Sequence, residues 1–220
     1  MRRSKTTPLI LFEPTQKGFH FNLRSWQPDV LRLVLEAYPS AAAEKDSTGN
    51  LPLHTAVEHG ACVKVVDMLL KAYPDAARER GKCHQFPVPM FSDAAPKQNE
   101  HSTGDLPLHT ICRGPTQTGF DFNLRSWQPD FLRLVLEAFP AAAAEKDSTG
   151  NLPLHTAVEH DACVKVVDML LKAYPDAARE RNTDHEFPLF LTDYCRAGCK
   201  GAPSEVAQTL INAYPAAVDW

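Results

Sequence analysis

Three histidines recur inside one five-residue phrase. Leu-Pro-Leu-His-Thr stands at Leu51–Thr55, Leu106–Thr110 and Leu152–Thr156, so His54, His109 and His155 each follow a proline (Pro52, Pro107, Pro153) by two positions. Imidazoles serve general acid–base catalysis and metal binding. A catalytic group, however, has no reason to return with every copy of a phrase. A ring that hydrogen-bonds between neighbouring loops must return with each one. These prolines and histidines are therefore read as structural motif residues. Cys195-Arg-Ala-Gly-Cys199, with Asp184 and His185 nearby, is half of a zinc pattern. Structural zinc closes with four ligands, commonly two such pairs, and the nearest Cys-His pair, Cys83-His84, lies far back in the chain. No metal and no cofactor are expected. Glu44 and Asp46 sit in a polar stretch expected to be bathed in water, with nothing to perturb their acidity. No nucleophile elbow, His-Glu-x-x-His or phosphate-binding glycine loop occurs, so the chain is expected not to be an enzyme.

What positions these residues is repetition. Pro14–Arg80 and Pro115–Arg181 match at 61 of 67 positions, 101 residues apart (115 − 14). The exceptions are Lys17/Thr118, His20/Asp121, Val30/Phe131, Tyr38/Phe139, Ser40/Ala141 and Gly60/Asp161. Within each copy lies a shorter unit that opens on the histidine phrase, with weaker openings at Phe86 and Phe187. Repetition at a few tens of residues signals a solenoid, whose units are stable only against their neighbours.

The unit can be read from Leu51 onward. Pro52 suits the first position of a short helix, where its missing N–H costs nothing, and Gly60 stops that helix. Val63, Val66, Leu69 and Leu70 then recur at helical spacing. Pro74 ends this second helix, because the residue before a proline is pushed out of the helical region. Asp75-Ala-Ala-Arg-Glu-Arg leads outward, and the equivalent stretch one unit earlier ends in Asp46-Ser-Thr-Gly-Asn50, a tight-turn signature. The plan is helix, turn, helix, then an extended finger.

These residues resemble the ankyrin repeat family. Leu-Pro-Leu-His stands for its Thr-Pro-Leu-His opening, Val-Val-Asp-Met-Leu-Leu for its second helix, and Asp46-Ser-Thr-Gly49 and Asp147-Ser-Thr-Gly150 for its finger turn. Leu51, Leu106 and Leu152 replace the family's threonine, and losing such a cap typically costs about 1 kcal/mol. Asn50, Asp105 and Asn151 are placed to take over part of it. The resemblance implies an all-α helix-turn-helix solenoid of about five units that binds other proteins along the concave surface of fingers and first helices.

Spacing divides the array. Residues 1–85 are a first half-array, a worn first unit followed by a full one. Residues 86–105 are too short for two helices and read as a degenerate unit or linker, with a hinge. Residues 106–220 are a second half-array of three units; Ser204 and Thr209 bring polar groups to the last unit, as a closing repeat needs. Insertions at Pro14–Trp26 and Pro115–Trp127 carry Phe19, Phe21, Trp26, Phe120, Phe122 and Trp127. They either fold over their own helix ends or anchor a partner, with Arg24 and Arg125 beside them.

Composition narrows the partner. A net charge of −4 and a pI near 6.1 leave no basic footprint, so nucleic acid is not expected. Pro8–Phe12 is too short an apolar run for a signal peptide or a membrane span, and Cys62 and Cys163 recur as one position inside a helical stretch. A cytoplasmic or nuclear chain, not bound to a membrane, is expected. Candidate protein-binding residues are Asp46, Ser47, Thr48 and Asn50 with their copies Asp147, Ser148, Thr149 and Asn151. Glu58, His59, Glu159 and His160 at the first-helix ends follow, with Trp26 and Trp127. Duplication of these surfaces suits a two-site partner. Two rivals remain: self-association through Leu9–Phe12, Val30 and Val34, and a metal or redox role for Cys195 and Cys199.

Overall fold

A computed structural model describes residues 27–81, 104–113, 128–192 and 204–219. Among these residues there is no strand, and eight α-helices are accompanied by short 3-10 turns. In chain order they are α1 Pro28–Ala37, α2 Pro52–Glu58, α3 Val63–Ala72, α4 Pro107–Arg113, α5 Gln128–Ala138, α6 Pro153–Glu159, α7 Val164–Ala173 and α8 Glu205–Ala213. The all-α repeat solenoid read from the sequence is the observed architecture.

Each first helix starts on the proline of its phrase. Leu51 and Leu152 precede it in extended conformation and carry no side chain able to cap. The histidine three positions on supplies the polar atom: the N–H of Leu51 donates to His54 Nδ1 at 3.3 Å, and that of Leu152 to His155 Nδ1 at 3.2 Å. Gly60 ends α2 at φ +64°, as expected. Each second helix ends on an aromatic residue held out of the helical region by the proline after it, with Tyr38, Tyr73, Phe139, Tyr174 and Tyr214 as the C-caps. Asp75-Ala-Ala does not lead straight outward. Pro74–Ala77 first makes a tight 3-10 turn whose alanines are buried, and Pro39–Ala43, Pro140–Ala144 and Pro175–Arg179 do the same.

Two layers result. The first helices α2, α4 and α6 pack in a row, continued by the 3-10 turn Pro188–Leu191, and the second helices α1, α3, α5, α7 and α8 pack in a parallel row behind them. Leu53, Leu108, Leu154 and Leu189 fill the seam from the first layer, and Leu31, Val66, Leu132 and Val167 from the second; all are buried.

The segment 86–105 lies almost wholly outside the described residues, but its flanks are packed together. α2 lies against α4 and α3 against α5. Each finger closes with a hydrogen bond between its first and last residues: Asp46 N–H to Asn50 O at 2.9 Å, Asp147 to Asn151 at 2.9 Å, Asn182 to Glu186 at 3.1 Å. Gly81 N–H donates to Asp105 O in the same way at 3.0 Å. Gly81 and Asp105 thus pair as the first and last residues of the other fingers do.

Candidate functional site

The finger tips are built by one carboxylate each. Asp46 Oδ1 accepts the N–H of Thr48 at 2.8 Å, the N–H of Asn50 at 3.0 Å and the hydroxyl of Thr48. Asp147 Oδ1 does the same for the N–H groups of Thr149 and Asn151, at 2.8 and 2.9 Å, and for the Thr149 hydroxyl. This corrects the expectation of unperturbed acidity for Asp46. Partial burial pushes its carboxyl up, but the Thr48 hydroxyl and the N–H groups of Asn50, Thr48 and Gly49 outweigh that and hold it below the usual range.

Within each tip the candidate residues divide. Asn50 and Asp147 are buried, and Asp46 and Thr48 are half-buried and tied into the turn, whereas Ser47, Ser148 and Thr149 are exposed. At the first-helix ends Glu58 and His59 are half-buried and Glu159 and His160 exposed, with Arg113 of α4 at the level between the glutamates. Arg113 Nη1 reaches the buried Asp105 Oδ2 at 2.6 Å. Trp26 and Trp127, with their insertions, lie outside the described residues, as do Cys195 and Cys199. Among the described residues no cluster of ligands could hold a metal ion.

The repeated histidines join fingers to helices. His54 Nε2 lies 3.0 Å from the Glu79 carbonyl, His109 Nε2 3.2 Å from that of Asn151 and His155 Nε2 3.3 Å from that of Glu186. Burial pulls His54 and His155 down to about 4, against the raising effect of those carbonyls. Burial lowers His109 too, opposed by Asp147 and Asp105. At neutral pH such rings are uncharged and act as struts.

Three features escaped the sequence reading. Residues 182–186 form a further finger in which Asn182 Oδ1 accepts the N–H groups of Asp184 and Glu186, at 3.0 and 2.9 Å, and His185 takes φ +64° where Gly49 and Gly150 take +87° and +74°. Ala-aromatic-Pro-x-Ala recurs from Ala37, Ala72, Ala138, Ala173 and Ala213, marking every unit, including those whose opening phrase is worn. A glutamate–cation pair also recurs, at Glu44-Lys45, Glu79-Arg80, Glu145-Lys146 and Glu180-Arg181. Three of its cations reach the glutamate of the next unit: Lys45 to Glu79 at 2.7 Å, Arg80 to Glu145 at 3.0 Å and Lys146 to Glu180 at 3.0 Å. Exposed pairs of this kind contribute about 0–1 kcal/mol each.

A family model described as ankyrin repeat matches the chain twice, over residues 48–79 and 149–180. No curated protein matches it. Repeats of this family are generally non-catalytic protein–protein interaction modules, and among the described residues no helix is long and apolar enough to cross a membrane.

Proposed function

We propose that the chain, whose duplicated units are ankyrin repeats, is a non-catalytic scaffold that binds another protein along its fingers and first-helix ends. The observation that carries this reading is the prior ordering of that surface. Each finger is fixed by a side-chain oxygen accepting several donors (Asp46, Asp147, Asn182), and the fingers of Asp147 and Asn182 are also held by the strut histidines His109 and His155. Exposed groups presented on such a rigid backbone lose little entropy on association. The contact residues are Ser47, Ser148 and Thr149 at the tips and Glu58, His59, Glu159 and His160 behind them. Asp46, Thr48, Asn50, Asp147 and Asn151 contribute mainly by holding these in place. Cys62, Cys112 and Cys163 stand as free thiols, which fits a reducing cytoplasmic or nuclear setting.

Affinity capture with mass spectrometry would identify the partner. The test compares the native chain with a variant carrying alanine at Ser47, Glu58, His59, Ser148, Glu159 and His160. A protein that binds the purified native chain directly, and loses at least tenfold in affinity to an equally stable variant, supports the reading. Equal binding by both moves the site elsewhere. Because the surface is duplicated, alanines in one copy alone should cost far more than half the observed affinity if the partner spans both; a merely additive loss would overturn two-site engagement.

A further inference from the structure

Two rows of alternating charge run along the array, and only one of them joins the units. On the finger side Lys45, Arg80 and Lys146 each pair with the next unit's glutamate. On the second helices the charges alternate as regularly. α3 presents Lys64, Asp67 and Lys71, and α5 presents Asp130, Arg133 and Glu137 at the same three levels. α7 repeats the residues of α3, and α1 repeats those of α5. The spacing of three and then four residues puts each trio on one helix face, away from the core. The ion pairs on this face, Arg32–Glu36, Lys71–Asp67 and Arg133–Glu137, all stay within one helix, and among the described residues none runs from one second helix to the next. The alternation between helices is left unspent inside the chain.

We propose that this face binds a second copy of the same chain, with α3 of one copy lying against α5 of the other. The charge pattern selects the arrangement. A two-fold axis parallel to the helices and passing between α3 and α5 keeps each level in place while exchanging the two helices. Lys64 then meets Asp130 of the second copy, Asp67 meets Arg133 and Lys71 meets Glu137, and symmetry repeats all three. An axis along the stack would instead bring Lys64 onto Lys71 and Asp130 onto Glu137, placing like charges together. Among the described residues the exposed large apolar ones, Leu33, Tyr38 and Val218, lie off α3 and α5. The contact is therefore electrostatic, and its strength falls with salt.

Sedimentation equilibrium of the full chain tests this, with one variant carrying Lys64→Glu and Lys71→Glu and another carrying Asp130→Lys and Glu137→Lys. The native chain should dimerise in about 50 mM salt and weaken at least tenfold in about 500 mM, where screening is nearly complete beyond a few ångströms. Each variant alone should lose at least tenfold in self-association, since two of the three facing pairs in each symmetric contact become like-charged. An equimolar mixture of the two should recover the native dimer, because acidic α3 then meets basic α5 and native α3 meets native α5. Recovery also shows that both variants are folded. A native chain that stays monomeric at low salt overturns the proposal, as do variants that dimerise unchanged or a mixture that fails to associate.

Discussion

Residues 27–80 and 128–181 carry nearly the same sequence in different surroundings. Leu33 of α1 is 59% exposed, whereas its counterpart Leu134 packs against the core. Val34 is half-buried, whereas Val135 is fully buried. Asp46 is half-buried and Asp147 buried, while Asn50 is buried and Asn151 only half-buried. The cause is position in the stack. Among the second helices α1 packs on α3 alone, but α5 lies between α3 and α7. In a solenoid the environment of a residue is set by how many neighbours its unit has, not by the unit's own sequence.

The sharpest test of that contrast is where it should vanish. His54 and His155 both sit against a finger carbonyl and both are pulled to about 4 by burial. A base depressed in the folded state gives stability that is present above its unfolded value, near 6.5, and lost as pH falls towards the folded value. The window is therefore about pH 6.5 to 4, and each ring should remove about 3 kcal/mol across it. Urea unfolding at stepped pH checks this. His54→Gln and His155→Gln should each flatten the slope by a similar amount. A response from only one copy would show that stack position governs the struts as well.

The next largest effect should break the symmetry. Val135→Ala removes two methyl groups from a fully buried site and should cost about 2 kcal/mol. Val34→Ala, half-buried on the end helix, should cost less than half of that. Equal losses by denaturant midpoint would mean that α1 is as enclosed in solution as α5.

Much of this was legible from single residues. Pro52, Gly60 and Pro74 act on their own backbone, so helix starts and stops could be placed without any partner. The Ala-aromatic-Pro phrase is equally local, and it marks all five units more evenly than the histidine opening does. Closure of Gly81 onto Asp105 was not legible, because it pairs residues 24 positions apart (105 − 81) across an intervening segment. Asn182–Glu186 shares no residue type, position for position, with Asp46–Asn50, and only its place just before the Phe187 opening betrays the finger. The recurring glutamate–cation pair was visible, but its meaning depended on knowing which loops become neighbours. Local signals fix the unit; the candidate surface depends on stacking, which the units specify only jointly.

The smallest expected effect turns one of the six differences between the copies into a measurement of opposite sign. The turn after the first helix takes φ +64° at Gly60 and φ +54° at Asp161. Glycine enters this region without steric cost, whereas an aspartate there crowds its Cβ against the following carbonyl. Asp161→Gly should therefore stabilise the chain by about 0.5–1 kcal/mol, and Gly60→Asp should destabilise it by a similar amount. Both shifts are read from urea midpoints at neutral pH. If Asp161→Gly gives no gain, the aspartate makes a compensating contact that Gly60 cannot, and its nearness to the His160 ring is the first place to look. If both behave as expected, the second copy carries strain at a turn where the first has none, so the more enclosed copy is not the better built one at every position.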